Sequence, residues 1–295
     1  MARRALTRRA LLGTACATAA AVATTGFVRP ARAAGRPLAL QGAVNARDLG
    51  GHRTYDGKAV RTGLLYRADA LNKLTDADLG VLGALGLRRV VDFRIAAEVG
   101  YDGPDRLPPG LAPTARPVTD NGLFSTLLTT IGSRDPVLQE RVFGGGRAAA
   151  FMRETYRSFV TSAANRAAFG ATLRDAAGGP LPLLYHCTAG KDRTGWTSYL
   201  VLTLVGVPER TATDDFLASN AYRAAYDAQV RAGLKQQGLM QDPDLLVPLQ
   251  EVRTEYLRTA LDQAEADYGS LYRYVTSGLG VDLRTLVALR ERLVG

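Results

Sequence analysis

Cysteine and histidine are nearly absent. The 295-residue chain has two of each: Cys16 and Cys187, His52 and His186. No carboxylate cluster stands at ligand spacing around them, so no metal site is expected, and no cofactor of any other kind. Also missing, beyond the N-terminus, is any run of Lys or Arg. The net charge is +9, but residues 1–33 hold six arginines and no acid, so the remainder carries +3. Without a basic tail or stripe, nucleic acid is not an expected partner. After residue 40 there is no internal repeat, low-complexity tract or long linker, which points to one domain over 34–295. No oligomeric state follows from the sequence.

Residues 1–33 read as an export signal. Their start is basic, residues 11–28 are small and apolar, and Ala31-Arg32-Ala33 fits an A-x-A cleavage site. The pair Arg8-Arg9 is of twin-arginine type. The apolar run is rich in Ala and broken by Thr and Gly, so it would hold a bilayer weakly. The mature chain is therefore expected to be secreted, without stable membrane insertion. Cys16 leaves with the signal. Cys187 then has no partner for a disulfide and no second thiol to resolve its oxidation.

In the remainder, apolar segments alternate with helical patterns. Residues 59–67 read as a strand or extended arm. Residues 75–86 read as a helix capped by Thr75, with Leu79, Leu82 and Leu85 on its apolar face. Residues 88–93 read as a buried strand. That is a β-α-β unit, and such units build parallel sheets. The segment 95–145 is rich in Gly and Pro and less regular, with a short strand at 113–117. Two helices are predicted over 147–177, a strand over 180–186, a buried helix over 194–205, and largely helical chain over 209–295. The fold class is α/β, a mostly parallel central sheet flanked by helices.

The chemistry gathers at "YHCTAGKDRTGW", between the strand at 180–186 and the helix at 194–205. Such a junction supplies loop amides and a helix N-terminus, which bind phosphate and favour a thiolate. Cys187 is followed six residues later by Arg193, whose planar fork can grip two phosphate oxygens. Nucleophile, oxyanion cradle and clamp share one short segment. It is not a nucleotide P-loop, because Tyr185 stands where that motif needs Gly.

His-Cys-x5-Arg-Thr resembles the signature of the cysteine-based protein tyrosine phosphatases, and "HCTAGKDRTG" resembles that of their bacterial atypical branch. The likeness extends to "NARDLGG" (45–51), "LLYRADAL" (64–71), "VVDFR" (90–94), "DDFLASN" (214–220) and 255–274, most of the mature chain. Ala68 stands where the branch has Ser, and Phe93 where it has Leu.

The resemblance implies phosphotyrosine hydrolysis through a phosphocysteine on Cys187. Arg193 and the loop residues Thr188, Ala189, Gly190 and Lys191 would bind the phosphate, and Thr194 would donate to the sulfur. His186 would lock the loop from behind. Arg47, Asp48 and Arg94 would lie near the substrate. For the general acid it implies Asp192, inside the loop. Asp92, at the end of a predicted parallel strand, is the rival unless it serves to hold Arg193 or Arg94; Asp48 and Asp120 are weaker rivals.

Lys191 adds a second cation. It suits a substrate with more than one phosphate, such as a phosphoinositide or inositol phosphate, or it only strengthens the field on one. The expected partner is thus a phosphorylated protein or a phosphoinositide. A phosphate- or phosphopeptide-binding protein without turnover is the alternative from another class. The helices around 210–260 fall where a mycobacterial member of the branch carries a lid.

Overall fold

The computed structural model describes residues 35–295; the export signal expected over 1–33 lies outside the described residues. Five strands form one sheet in the order β1-β2-β5-β3-β4. They are β1 (Arg47–Asp48), β2 (Leu65–Ala68), β3 (Arg89–Asp92), β4 (Pro113–Ala115) and β5 (Leu183–His186). β1 runs antiparallel to β2 and the other pairings are parallel. The α/β class with a mostly parallel sheet is therefore as expected.

Strand alternation divides the core in two. Val91, Leu183 and Tyr185 face the larger cluster, with Phe93, Phe159, Phe169 and Trp196. Val90, Leu184, Tyr66 and Ala68 face a smaller one with Leu71, Leu74 and Leu82. Leu82 comes from α1 (Asp76–Ala84), which begins in a capping box. Thr75 accepts from the Asp78 amide, and the Asp78 carboxylate accepts from the Thr75 amide.

The segment 95–145 departs from expectation. It holds three helices: α2 (Ala96–Asp102), α3 (Leu123–Gly132) and α4 (Pro136–Phe143). Several of its Gly and Pro residues mark helix ends. Gly122 stands left-handed before α3, Pro136 opens α4 behind the cap Asp135, and Gly144 closes it. α5 (Arg147–Thr161) and α6 (Ala163–Gly178) are the two helices predicted over 147–177. α7 (Arg193–Leu204) is buried at every position from 193 to 202, as its apolar circumference requires.

The C-terminal part is helical as expected. It comprises α8 (Glu209–Gln236), a 3-10 turn (Pro243–Leu246), α9 (Val247–Gln250), α10 (Thr254–Tyr268), α11 (Leu271–Arg273), a π turn (Tyr274–Gly278) and α12 (Leu283–Leu293). α8 packs on α7, α10 on α5, and α12 on α6. Among the described residues no helix is long and apolar enough to cross a membrane.

Three parallel strands end level with one another. His186 pairs with Ala68 on one side and Asp92 on the other. The next residue is Cys187. A sheet of this kind opens its crevice beyond the carboxyl ends of its strands, so the fold itself points to this edge.

Candidate active site

The chain leaves β5 at His186 and enters α7 at Arg193. Between them every carbonyl from Thr188 to Gly190 is drawn outward. Thr188 O accepts from the Ala70 amide at 3.1 Å. Ala189 O accepts from Asn45 Nδ2 at 3.0 Å and an Arg223 guanidinium nitrogen at 3.2 Å. Gly190 O accepts from Arg67 at 2.8 Å. A trans peptide is planar, with its N–H opposite its C=O. The amides of Ala189, Gly190 and Lys191 therefore point the other way, into the concave side. With the N-terminus of α7 they form an anion cradle. Gly190 has φ +66°, and a Cβ there would lie 2.5 Å from Ala68 O and the Asp69 nitrogen. Only glycine lets the loop lie this close to the end of β2.

The donors that hold the carbonyls are themselves held. Arg47 and Arg67 are fully buried and share Asp215 of α8, at 3.1 and 2.6 Å. Arg47 also donates to Asn45 Oδ1 at 2.7 Å, fixing the amide that reaches Ala189. Burial opposes the Asp215 charge, but the two guanidiniums outweigh it and hold its carboxyl far below the usual range. Arg223 lies 3.6 Å from Asp69, donates to Asp227 at 2.7 Å and stacks on Tyr226. α8, expected as part of a lid, thus has one face built into the foundation of the loop.

Arg193 is gripped from the far side by Glu98 of α2. Its two terminal nitrogens donate to the two carboxylate oxygens at 2.7 and 2.6 Å. Thr188 Oγ1 donates to the same Glu98 oxygen as the second of these, so one carboxylate ties the first and last turns of the loop. Burial opposes both charges. Arg193 nevertheless holds the Glu98 carboxyl below its ordinary value, and Glu98 with Cys187 pushes the Arg193 guanidinium above its own. Cys187 is a free thiol, buried among these groups. Thr194 is fully buried, and its Oγ1 has no hydrogen-bond partner among the described residues. A buried hydroxyl left this way next to the loop is a donor without an assignment among the described residues.

His186 lies under the loop. Its Nε2 is 2.9 Å from Asp105 Oδ2 and its Nδ1 is 3.4 Å from the Cys187 carbonyl. Asp92, Asp105 and His186 are close enough to share an ion. Arg94 already fills the cationic role there, donating to Asp92 at 2.8 Å and Asp105 at 2.7 Å.

The residues expected near substrate therefore separate. Cys187, Thr188, Ala189, Gly190, Lys191, Asp192, Arg193 and Thr194 form one site. Asp92 accepts three side-chain hydrogen bonds and one backbone hydrogen bond from Arg94, which leaves it orienting that residue and not Arg193. Arg94 is spent on Asp92, Asp105 and Gly103 O, and Arg47 on Asn45, Asp215 and Ser219. Asp48 faces the other way, because neighbours in a strand alternate sides. Its carboxylate takes the amides of Gly50 and Gly63. Asp120 caps α3 by accepting from Gly122 and Phe124.

The sequence reading missed Glu98, Arg67, Asn45, Asp105, Arg223, Asp215 and Tyr156 as contributors. Arg67, Asn45 and Asp215 stand inside stretches that carried the resemblance. Glu98 had one local signal, its place three residues after Ile95 at a helix start.

Comparison with known proteins decides the family. A model of the tyrosine phosphatase family matches residues 38–295. The chain belongs to the tyrosine phosphatase family. Over 252 residues it is 35% identical to a Cupriavidus necator protein named as a candidate tyrosine-protein phosphatase, covering 84% of this chain and 86% of that one. It is 32% identical over 278 residues to the triple specificity protein phosphatase PtpB of Mycobacterium tuberculosis, covering 87% of this phosphatase-family chain and 98% of PtpB.

Proposed function

We propose that this enzyme hydrolyses phosphotyrosine in proteins, with Cys187 as nucleophile and a phosphocysteine intermediate. One observation carries the reading: a buried thiol faces a cradle whose carbonyls are pinned outward and whose arginine is clamped by Glu98. Arg193 and the inward amides hold the equatorial oxygens and gain most as charge builds in the transition state. Thr194, with its free hydroxyl, donates to the sulfur as it leaves, and water then releases phosphate. Asp192 protonates the leaving oxygen; it is in the loop, whereas Asp92 is spent on Arg94.

A second substrate class is favoured by Lys191. A second cation inside the loop suits phosphoinositides or inositol phosphates, and PtpB is named as a triple specificity phosphatase. The N-terminal 33 residues serve as a twin-arginine-type export signal, and residues 34–295 act as one secreted catalytic domain.

The test is phosphate release from a phosphotyrosyl peptide under reducing conditions, wild type against Cys187→Ser. Release by wild type alone supports the reading. Release by both excludes Cys187 as nucleophile. Release by neither, with peptide binding retained, supports a binding protein.

A further inference from the structure

Asp192 is not free to give a proton. Tyr156 of α5, fully buried, donates its hydroxyl to Asp192 Oδ1 at 2.9 Å. Burial, and after it the neighbouring Asp192, push the Tyr156 hydroxyl well above the ordinary tyrosine value, so it remains a donor. Lys191 Nζ donates to both carboxylate oxygens, at 2.9 and 2.7 Å. Both oxygens are thus acceptors, whereas a general acid must present a proton on an oxygen open to the leaving group. The remaining titratable neighbours, Cys187 of the loop, Arg67 of β2 and Tyr256 of α10, act on this cluster through space.

Both holders are buried, but they differ in how they are packed. Tyr156 is packed against Phe159, Phe216 and Tyr256 and cannot leave without opening the core. Lys191 has a flexible stem, and its further contact is a long one, 3.4 Å to the Glu251 carbonyl beside α9.

We infer that Lys191 is a latch on Asp192, opened by a second anionic group on the substrate. The inference rests on the reading of Cys187 and Arg193 as the phosphate site. The reacting phosphate seats on the loop. A second phosphate or a carboxylate nearby on the same substrate draws the Lys191 ammonium to itself. Asp192 Oδ2 then takes a proton from solvent, while Tyr156 keeps hold of Oδ1 and so fixes the direction of Oδ2. Cys187 Sγ, as the thiolate, attacks phosphorus. The P–O bond to the leaving group breaks, its electron pair stays on oxygen, and that oxygen takes the Oδ2 proton. The step yields phosphocysteine, a neutral phenol or alcohol, and the Asp192 carboxylate, to which Lys191 returns. Lys191 thereby selects substrates through the proton as well as through binding.

The test compares phenyl phosphate, whose leaving group needs the proton, with p-nitrophenyl phosphate, whose leaving group needs it far less. The quantity is kcat/KM, which covers formation of the phosphocysteine. In Lys191→Met the ratio of phenyl to p-nitrophenyl phosphate is expected to rise about tenfold, within the range a general acid supplies. The same substitution in an Asp192→Asn background is expected to leave the ratio unchanged. A folding defect lowers both substrates alike and cannot raise the ratio; Lys191→Gln repeats the measurement with a polar side chain. A ratio unmoved by both substitutions while Asp192 is intact overturns the latch alone. Release from neither substrate by wild type overturns the reading of the site and the latch with it.

Discussion

The two halves of the loop are held by different kinds of partner. From Thr188 to Gly190 each carbonyl is fixed by donors from elsewhere in the chain, Ala70, Asn45, Arg223 and Arg67, while the Cys187 carbonyl lies 3.4 Å from Nδ1 of its neighbour His186. Most of these donors are buried, and the arginines among them are neutralised by Asp215, Asp69 and Asp227. At Lys191 and Asp192 it is the side chains that are held, by an ion pair between neighbours, the Tyr156 hydroxyl and a long contact to the Glu251 carbonyl. The difference fits the proposed division of work. A cradle for a developing charge has to be rigid before the charge arrives. On the proposed reading Asp192 carries a proton and has to change state in each turnover, so the contact proposed to open belongs there.

The largest expected effect breaks the rigid half. Gly190→Ala puts a Cβ 2.5 Å from Ala68 O at a φ of +66°. The left-handed conformation alone costs about 1–2 kcal/mol. The clash must be relieved by moving the loop off β2, which turns the Gly190 carbonyl away from Arg67. A loss of roughly 10²-fold or more in kcat/KM is expected, comparable to losing an oxyanion donor. Near-wild-type turnover in a folded Gly190→Ala enzyme would show that the cradle is softer than its anchors imply.

Next comes the clamp between the halves. Glu98→Gln removes the charge that faces Arg193 and Thr188. Breaking one partner of a buried pair costs about 3–5 kcal/mol, read by denaturant unfolding. The native Glu98 carboxyl is held below its ordinary value, so its contribution is complete above pH 4.5 and is lost as pH falls through the lower folded value. The wild type should therefore lose stability on acidification more steeply than Glu98→Gln. Parallel acid profiles for the two proteins would remove Glu98 from the clamp.

Much of this arrangement was legible in the sequence, and the illegible part has a physical pattern. The loop, its strand and its helix were visible because the chemistry is contiguous: Cys187 to Thr194 is one stretch, and buried strands and helices have apolar patterns of their own. The foundations were not. Arg47 read as a residue near the substrate and Arg67 was not singled out, since nothing local says that an arginine is buried; their partner Asp215 is 168 and 148 positions away. Asp48 was grouped with Arg47 on motif grounds, yet strand alternation sends one inward and the other to Gly50 and Gly63. The helices of 95–145 were hidden because glycine and proline at caps look the same in sequence as glycine and proline in a loop.

The smallest effect tests how dry the foundation is. His52 is 2% exposed, and neither ring nitrogen has a hydrogen-bond partner among the described residues. Burial lowers its pKa from 6.5, and Arg47 and Arg67 push the same way against the opposing Asp215. The folded chain therefore keeps His52 neutral where the unfolded chain takes up a proton. Stability falls as pH drops below 6.5, over the window down to the folded value. Phenylalanine fills a similar volume and takes no proton in either state. Comparing Tm at about pH 7.5 and about pH 5.5, the wild type should lose more than His52→Phe, because only the histidine titrates in that range. Equal losses would mean that His52 accepts its proton in place, and that charge or water reaches the buried arginines behind the loop.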